Sequence, residues 1–172
     1  MKSSILALIA TAGLALIARA ESTVKISNVH LCCKSCVTGV EKAVAKAKGV
    51  TAAVDKDAGT VTLTAADKTA VQGGVDALVA AGYYGKSDSS DVSLKDTSGA
   101  KDGKVSTLTV NDVHLCCGKC VTTVTKAIEK VKGVTGNNAE KNAKSFEVKG
   151  DFNPKEVFAA LQAAGLTGKA GH

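Results

Sequence analysis

The sequence predicts an α+β protein made of two copies of one small domain, each with four strands and two helices. Residues 29–50 and 113–134 are identical at 15 of 22 positions, and Leu-x-Ala-Ala-Gly recurs at 78–82 and 161–165, which indicates an internal repeat. Within each copy, segments of alternating apolar residues and segments of helical spacing follow in the order β-α-β-β-α-β. This order predicts the ferredoxin-like fold, in which both helices cover one face of a four-stranded antiparallel sheet.

The first twenty residues have the three parts of a secretory signal peptide. Lys2 supplies a positive charge, residues 5–18 are mostly apolar, and Ala18-Arg19-Ala20 is a small-x-small cleavage site. The apolar run is shorter than the roughly 20 residues that a membrane-spanning helix needs, which favours cleavage over a retained anchor. We therefore expect export to the periplasm or the extracellular space, without stable membrane insertion, and a mature chain that begins near Glu21.

Composition divides the rest of the chain into two domains and a linker. We expect a signal peptide at 1–20, a first domain at 21–87, a flexible linker at 88–104 and a second domain at 105–172. The linker is rich in Ser, Asp, Lys and Gly, and a flexible coil of this length has a root-mean-square span on the order of 25 Å. Such a span allows the two domains to move independently and also allows their sites to meet.

The elements of the first copy follow from its apolar periodicity and its turn residues. Three strands are predicted at 23–29, 50–55 and 60–64. The first helix has apolar residues at helical spacing: Val37, Val40, Val44 and Ala47. Asp67 can cap the second helix, which Gly73 and Gly74 weaken by about 1 kcal/mol each relative to alanine. A short strand at 83–87 closes the domain.

The second copy repeats this order with a different hairpin. Its first strand is predicted at 107–113, and its first helix has apolar residues at helical spacing: Val121, Val124, Ile128 and Val131. A looser link at 136–144 precedes the next strand. Asn153 followed by Pro154 is typical of a helix start, and the last strand is predicted at 166–170.

All six cysteines lie in two copies of His-Leu-Cys-Cys-x-x-Cys, at 30–36 and 114–120. The predicted elements place each copy between the first strand and the first helix of its domain. The two-residue spacing lets both sulfurs of each Cys-x-x-Cys turn toward one point at a helix N-terminus, where the pKa of a thiol is lowered. Thiolates are soft ligands that prefer Cu(I), Zn(II) and related ions. The motifs therefore predict one soft or borderline metal ion per domain, with four principal ligands: Cys33, Cys36, Cys117 and Cys120.

Each copy resembles the heavy-metal-associated domain of metallochaperones, of metal-exporting ATPases and of periplasmic mercury-binding proteins. That family has the pattern Gly-Met-x-Cys-x-x-Cys-Val, then Val-x-Lys-Ala, Gly-Val and Ala-Gly-Tyr. This chain matches it at 31–37, 40–44, 49–50 and 81–83, and at 115–121, 124–128, 133–134 and 164–166. The resemblance implies the same fold and metal binding at the two Cys-x-x-Cys pairs. It also implies a metal-transporting membrane protein or another metallochaperone as a partner.

The motifs depart from the family pattern at three positions. Leucine replaces the methionine, His30 or His114 replaces the glycine, and Cys32 or Cys116 occupies the variable position. In zinc-exporting ATPases that resemble this family, an acid or a cysteine at that position supplies an extra ligand. The third thiol therefore favours three-thiolate Cu(I), or Zn(II) or Cd(II), and a histidine could complete the four ligands that zinc prefers. The alternatives are that the extra cysteines are only small side chains and that the histidines face solvent.

The expected function is that of an exported, non-enzymatic protein that binds Cu(I), Zn(II), Cd(II) or Hg(II) for sequestration or transfer. Because disulfides form in exported proteins, structural disulfides are an alternative role for the cysteines. A further alternative is a thiol–disulfide redox protein, since such proteins also contain Cys-x-x-Cys. A third alternative is a binding module whose sheet docks a partner while the cysteines only regulate it. The 22 basic residues, against 16 acidic ones, are not clustered with aromatic residues, so nucleic-acid binding is not expected.

Overall fold

A computed structural model describes residues 21–171 and contains two four-stranded antiparallel sheets and four helices. The predicted α+β class with two ferredoxin-like domains is confirmed. The predicted signal peptide lies outside the described residues. Among the residues described, none of the helices is long and apolar enough to cross a membrane.

The two domains have the same element order and the same sheet order. The first contains β1 (Ser22–Ser27), α1 (Lys34–Val44), β2 (Val50–Asp55), β3 (Thr60–Ala65), α2 (Lys68–Ala80) and β4 (Lys86–Ser87). The second contains β5 (Val105–Asn111), α3 (Gly118–Ile128), β6 (Val134–Asn137), β7 (Ser145–Phe152), α4 (Pro154–Ala163) and β8 (Lys169–Ala170). The sheet orders are β2-β3-β1-β4 and β6-β7-β5-β8, so the strand before each cysteine motif is a central strand.

Alternating residues build the core of each domain. In β1, Val24 and Ile26 are buried while their neighbours in the strand are exposed, and the valines of α1 at 40 and 44 pack in the same core. The helix caps are also those that the sequence predicts. Asp67 accepts a hydrogen bond from the backbone N–H of Ala70, and Asn153 accepts one from that of Lys155. These caps satisfy N–H groups that a helix start otherwise leaves without partners.

The final strands are shorter than predicted because the residues before them connect the two domains. Tyr83 and Leu166 form an isolated antiparallel bridge with each other. The backbone N–H of Thr167 donates to the Gly82 carbonyl at 2.9 Å, and that of Tyr84 donates to the Gly165 carbonyl at 3.1 Å. Only two residues of each predicted final strand therefore pair with β1 or β5.

The hairpin of the second domain also differs from its predicted bounds. The strand β6 extends to Asn137, so the predicted looser link at 136–144 begins inside a strand. The register of β6 on β7 shifts between Val134 and Gly136, as in a β-bulge. The backbone of Gly150 lies directly against Gly133, where a side chain would collide. This bulge explains why the hairpin lacks a regular alternation.

The segment at 88–104 lies against both domains. Gln72 of α2 makes two hydrogen bonds with the backbone of Ser93, at 3.0 and 3.1 Å. At the other end, the backbone N–H of Ala170 donates to the Ser98 carbonyl at 2.8 Å. The segment therefore contacts the first domain through its beginning and the second domain through its middle, while its predicted flexibility stays a prediction.

Candidate metal centre

Each cysteine motif crosses from a central strand into the first turn of a helix. Cys33 and Cys117 are the N-cap residues of α1 and α3, with extended backbones. Cys36 and Cys120 follow in the first helical turn and are fully buried. The positions predicted from the spacing, one cysteine in the loop and one in the first turn, are those that the structure shows.

Two glycine turns hold the motifs of the two domains against each other. Gly82 and Gly165 end the second helix of each domain, with φ of +86° and +80°, a conformation that L side chains rarely adopt. A Cβ atom on Gly165 would lie 2.5 Å from the Asn28 carbonyl oxygen, and one on Gly82 would lie 2.5 Å from that of Asp112. Each turn thus lies on the other domain's backbone just before its cysteine motif, an approach that only glycine permits.

The six cysteine sulfurs form one cluster between the domains. Cys32 Sγ lies 3.2 Å from Cys117 Sγ and 3.4 Å from Cys120 Sγ. The equivalent sulfur of the second domain, that of Cys116, lies 3.5 Å from the sulfurs of both Cys33 and Cys36. These contacts are related by an approximate two-fold symmetry that exchanges the two domains.

The sulfur–sulfur distances within the first domain equal those within the second. The sulfurs of Cys33 and Cys36 are 3.8 Å apart, as are those of Cys117 and Cys120. In each domain the extra cysteine lies 3.7 Å from the buried one. All six are free thiols. The structure therefore contains none of the structural disulfides that were an alternative for an exported protein.

Several groups of three ligands lie close enough to share one metal ion. In each of them the three ligand atoms lie within 4.8 Å of one another, and they are Cys33/Cys36/Cys116, Cys32/Cys33/Cys117, Cys116/Cys117/Cys120 and His30/Cys32/Cys120. Three of the four combine residues of both domains. The extra cysteines belong to these groups as fully as the Cys-x-x-Cys residues do, which makes them equal candidates as ligands.

The two histidines have different surroundings. The Nε2 atoms of both are buried and have no hydrogen-bond partner within residues 21–171. His30 lies in a group with Cys32 and Cys120, and burial lowers its pKa, so its ring is neutral and able to bind a metal. The ring of His114 packs against Tyr83, with ring centroids 4.7 Å apart, and is also near Cys36, whose pKa it helps to lower, but it belongs to none of the three-ligand groups found in residues 21–171. The arrangement therefore makes His30 the better candidate ligand of the two.

Tyr83 packs beside the site and supports it through the backbone. It is fully buried, and its hydroxyl group donates a hydrogen bond to the carbonyl of Cys36 at 3.0 Å. A Cβ atom on Gly39 would collide with this hydroxyl group and would lie 3.0 Å from the His114 ring. In the second domain Thr123 takes the place of Gly39, and Leu166 takes the place of Tyr83. The larger helix residue is thus paired with a smaller core residue.

The two buried thiols at the centre shift each other's pKa in opposite directions. A hydrogen bond from Cys120 stabilises the thiolate of Cys36 and lowers the pKa of Cys36. The same hydrogen bond raises the pKa of Cys120, which must keep its proton to donate it. The two sulfurs occupy equivalent positions of the repeat and lie 3.9 Å apart.

The outer thiols also differ in acidity. The pKa of Cys117 is lowered to about 6, chiefly by the backbone N–H of Cys120 and then by Cys32. Cys117 makes no capping hydrogen bond, so this is an electrostatic effect at a helix N-terminus. Burial, followed by the contact with Cys117, raises the pKa of Cys32 to about 12. Burial likewise raises the pKa of Cys116.

The distances and the donor atoms fit a soft metal ion. A metal–sulfur bond of about 2.3 Å requires sulfurs about 3.8 Å apart in a tetrahedron, or about 4.0 Å apart in a planar triangle. The sulfur–sulfur contacts between 3.2 and 3.9 Å come close to these values. Thiolates select soft or borderline ions, and no carboxylate belongs to these groups within residues 21–171. The cysteine groups can therefore hold a metal ion.

The sequence predicts where each motif lies in its domain and leaves open whether the two motifs meet. Their meeting depends on the Gly82 and Gly165 turns, which come more than 40 residues after the cysteines of their own domains. The exchange of Gly39 and Tyr83 for Thr123 and Leu166 is a sequence signal of this packing. It is interpretable only once the neighbours are known.

Comparisons with known proteins add a weak structural likeness. No protein-family model and no curated protein matches the chain. The N-terminal soluble domains of Bacillus subtilis CopA match with 16% identity over 89% of this chain and 95% of that chain, at a TM-score of 0.31. The water-soluble region of the P-type ATPase CopA from the same organism matches with 19% identity over 88% and 92%, at a TM-score of 0.29. The first two RRM domains of yeast Pub1, a poly(U)-binding protein, match with 9% identity over 87% and 98%, at 0.25. Scores this low identify no shared arrangement of whole chains.

Proposed function

We propose that this chain is an exported tandem protein of the heavy-metal-associated type, which binds a soft metal ion through thiolates of both domains. The observation that carries the proposal is the convergence of all six cysteine sulfurs at the domain interface. Free thiols have no structural need to meet in this way. A bound cation removes the repulsion between thiolates and satisfies their lone pairs.

Cu(I) and Zn(II) are the ions that the ligand set favours most. Three sulfurs suit trigonal Cu(I), whereas zinc requires a fourth ligand, for which His30 is in position. Cd(II) and Hg(II) share the preference for thiolates. In this proposal the metal is cargo, and the chain sequesters it or passes it to a metal-transporting membrane protein or another metallochaperone.

Transfer requires ligands that an incoming thiol can reach. Cys33 and Cys117 are partly exposed at the helix N-termini, while Cys36 and Cys120 are fully buried. A partner's thiolate can therefore displace an outer sulfur first, while the buried pair keeps the ion until the exchange is complete. This order gives the buried cysteines the role of holding the metal and the outer ones the role of exchange.

Metal titration of the reduced protein tests the proposal. We expect the wild type to bind Cu(I) or Zn(II) tightly in the presence of a competing chelator, and Cys33→Ser/Cys117→Ser to bind at least tenfold more weakly. Lys46→Ser/Lys130→Ser changes equivalent exposed residues in the turns after α1 and α3 and should bind as the wild type does. No uptake of Cu(I), Zn(II), Cd(II) or Hg(II) would reject the proposal.

A thiol–disulfide redox protein remains a second candidate because Cys32 and Cys117 have the closest sulfurs, at 3.2 Å. An insulin-reduction assay separates the two functions. A redox protein would reduce insulin in repeated cycles with a thiol donor, and metal-free protein would be its active form. We expect no turnover above that of the thiol donor alone.

A further inference from the structure

We infer that the six sulfurs together hold a four-ion Cu(I)–thiolate cluster in which every cysteine bridges two ions. This inference deepens the proposed function and rests on it. It replaces one ion per domain with a single polynuclear site that neither domain completes alone.

Four of the sulfur triangles in this cluster can each hold one ion while sharing only corners with one another. Three are all-cysteine groups within 4.8 Å, namely Cys33/Cys36/Cys116, Cys32/Cys33/Cys117 and Cys116/Cys117/Cys120. The fourth is Cys32/Cys36/Cys120, whose sulfurs lie 3.7, 3.9 and 3.4 Å apart. Each triangle can hold one Cu(I) ion with three ligands.

The four triangles share their corners in a regular way. Each of the six cysteines belongs to two triangles, and any two triangles have one cysteine in common. This is the pattern of alternate faces of an octahedron, with six sulfurs at its corners and four ions on its faces. Isolated mononuclear sites would not require such an even distribution of six sulfurs.

The distances agree with such a cluster. A metal–sulfur bond of about 2.3 Å gives octahedron edges of about 4.0 Å and places neighbouring ions about 2.7 Å apart. The closest sulfur pair, Cys32 and Cys117 at 3.2 Å, has to separate by less than an ångström when the ions bind. The outer cysteines lie in loops, where a shift of this size needs no change in the helices.

Charge and coordination number favour Cu(I) over zinc in this cluster. Four Cu(I) ions and six thiolates leave two negative charges, which the positive N-termini of α1 and α3 stabilise. Four zinc ions would each need a fourth ligand. Within residues 21–171, His30 is the one histidine that belongs to a ligand group. The ligand supply therefore matches three-coordinate ions.

Anaerobic titration with Cu(I) under native mass spectrometry tests the inference on the reduced mature chain. We expect species with four copper ions per chain to appear early, with few intermediates, and X-ray absorption to show copper–copper scattering at about 2.7 Å. Saturation at one or two ions per chain with sulfur neighbours alone would overturn the cluster and leave the proposed function intact. No copper uptake would overturn both.

A single variant distinguishes the cluster from paired mononuclear sites. Cys32→Ser destroys two of the four triangles, so we expect the stoichiometry to fall from four ions to two or fewer. Two sites made only of the Cys-x-x-Cys pairs would keep their stoichiometry in this variant, and that result would overturn the cluster. Because Cys32 is partly exposed, the variant should fold, which circular dichroism can verify, and Lys46→Ser, at an exposed residue outside the motif, is the control.

Discussion

At the scale of single residues, the site depends on thiols that have the same chemical identity and different surroundings. The Cys117 sulfur lies at a helix N-terminus, which lowers its pKa to about 6, whereas burial raises that of Cys32 to about 12. Near pH 7 one of these contacting residues is therefore a thiolate and the other a thiol. A thiolate that is already formed can bind a metal ion without first losing a proton.

This difference predicts selective alkylation of the reduced, metal-free protein. Because the thiolate is the nucleophile, the Cys117 rate should rise with pH to half of its maximum near pH 6. Cys32 should stay unreactive up to pH 9, since its pKa of about 12 keeps it protonated. Short iodoacetamide pulses followed by peptide fragmentation measure both rates. Equal rates for the two residues at pH 7 would contradict the assignment, and bound metal should protect both.

At the scale of elements, the helix after each cysteine motif packs against the residue that follows the glycine turn. In the first domain Gly39 of α1 leaves room for the Tyr83 hydroxyl group. The second domain has Thr123 and Leu166 at these positions. The two domains therefore use different pairs of residues to fill the same place next to the buried cysteine.

This packing predicts a compensating pair of substitutions. Gly39→Thr should lower the free energy of unfolding by about 1–3 kcal/mol, because the new side chain collides with Tyr83. Adding Tyr83→Leu should restore part of the loss, since it recreates the pair of the second domain. Urea unfolding monitored by circular dichroism measures both. Purely additive losses would show that the two positions do not contact each other.

At the scale of the whole molecule, the domain interface creates the site. The turns at Gly82 and Gly165 lie against the backbone that leads into the opposite motif, and the segment at 88–104 contacts both domains. A soft-metal site shared in this way couples metal binding to domain arrangement. Metal bound by both domains should stabilise their association, because a ligand that binds only one state shifts the population toward it.

The interface predicts that enlarging the glycine turns separates the motifs. In Gly82→Val/Gly165→Val, each new side chain collides with the opposite backbone, so the domains should fold but no longer hold their cysteines together. Small-angle X-ray scattering should show a larger radius of gyration, and Cu(I) affinity should fall at least tenfold. Gly73→Ala/Gly136→Ala, at positions with nothing within 4 Å, is the control. Unchanged scattering and affinity would show that these turns do not position the site.

The sequence was sufficient to predict the fold and each half of the site, because those features are local. Alternation in β1, spacing in α1 and a cap such as Asp67 depend on residues near one another in the chain. The convergence of Cys32 with Cys117 depends on how two folded surfaces meet. How they meet depends on the close contact of Gly82 and Gly165 with the backbone of the opposite domain. In the sequence, a glycine in such a contact looks the same as a glycine that only ends a helix.

Removing all three sulfurs of one domain tests the shared site most directly. Without the cysteines of the second domain, the first domain keeps one sulfur triangle, Cys32/Cys33/Cys36, whose sulfurs lie within 4.8 Å of one another, and this triangle can hold one ion. Cys116→Ser/Cys117→Ser/Cys120→Ser should therefore bind fewer than half as many Cu(I) ions as the wild type, with an affinity at least tenfold lower in competition with a Cu(I) chelator. Half of the wild-type ions bound at unchanged affinity would show that each domain binds its metal alone, and would contradict a shared centre.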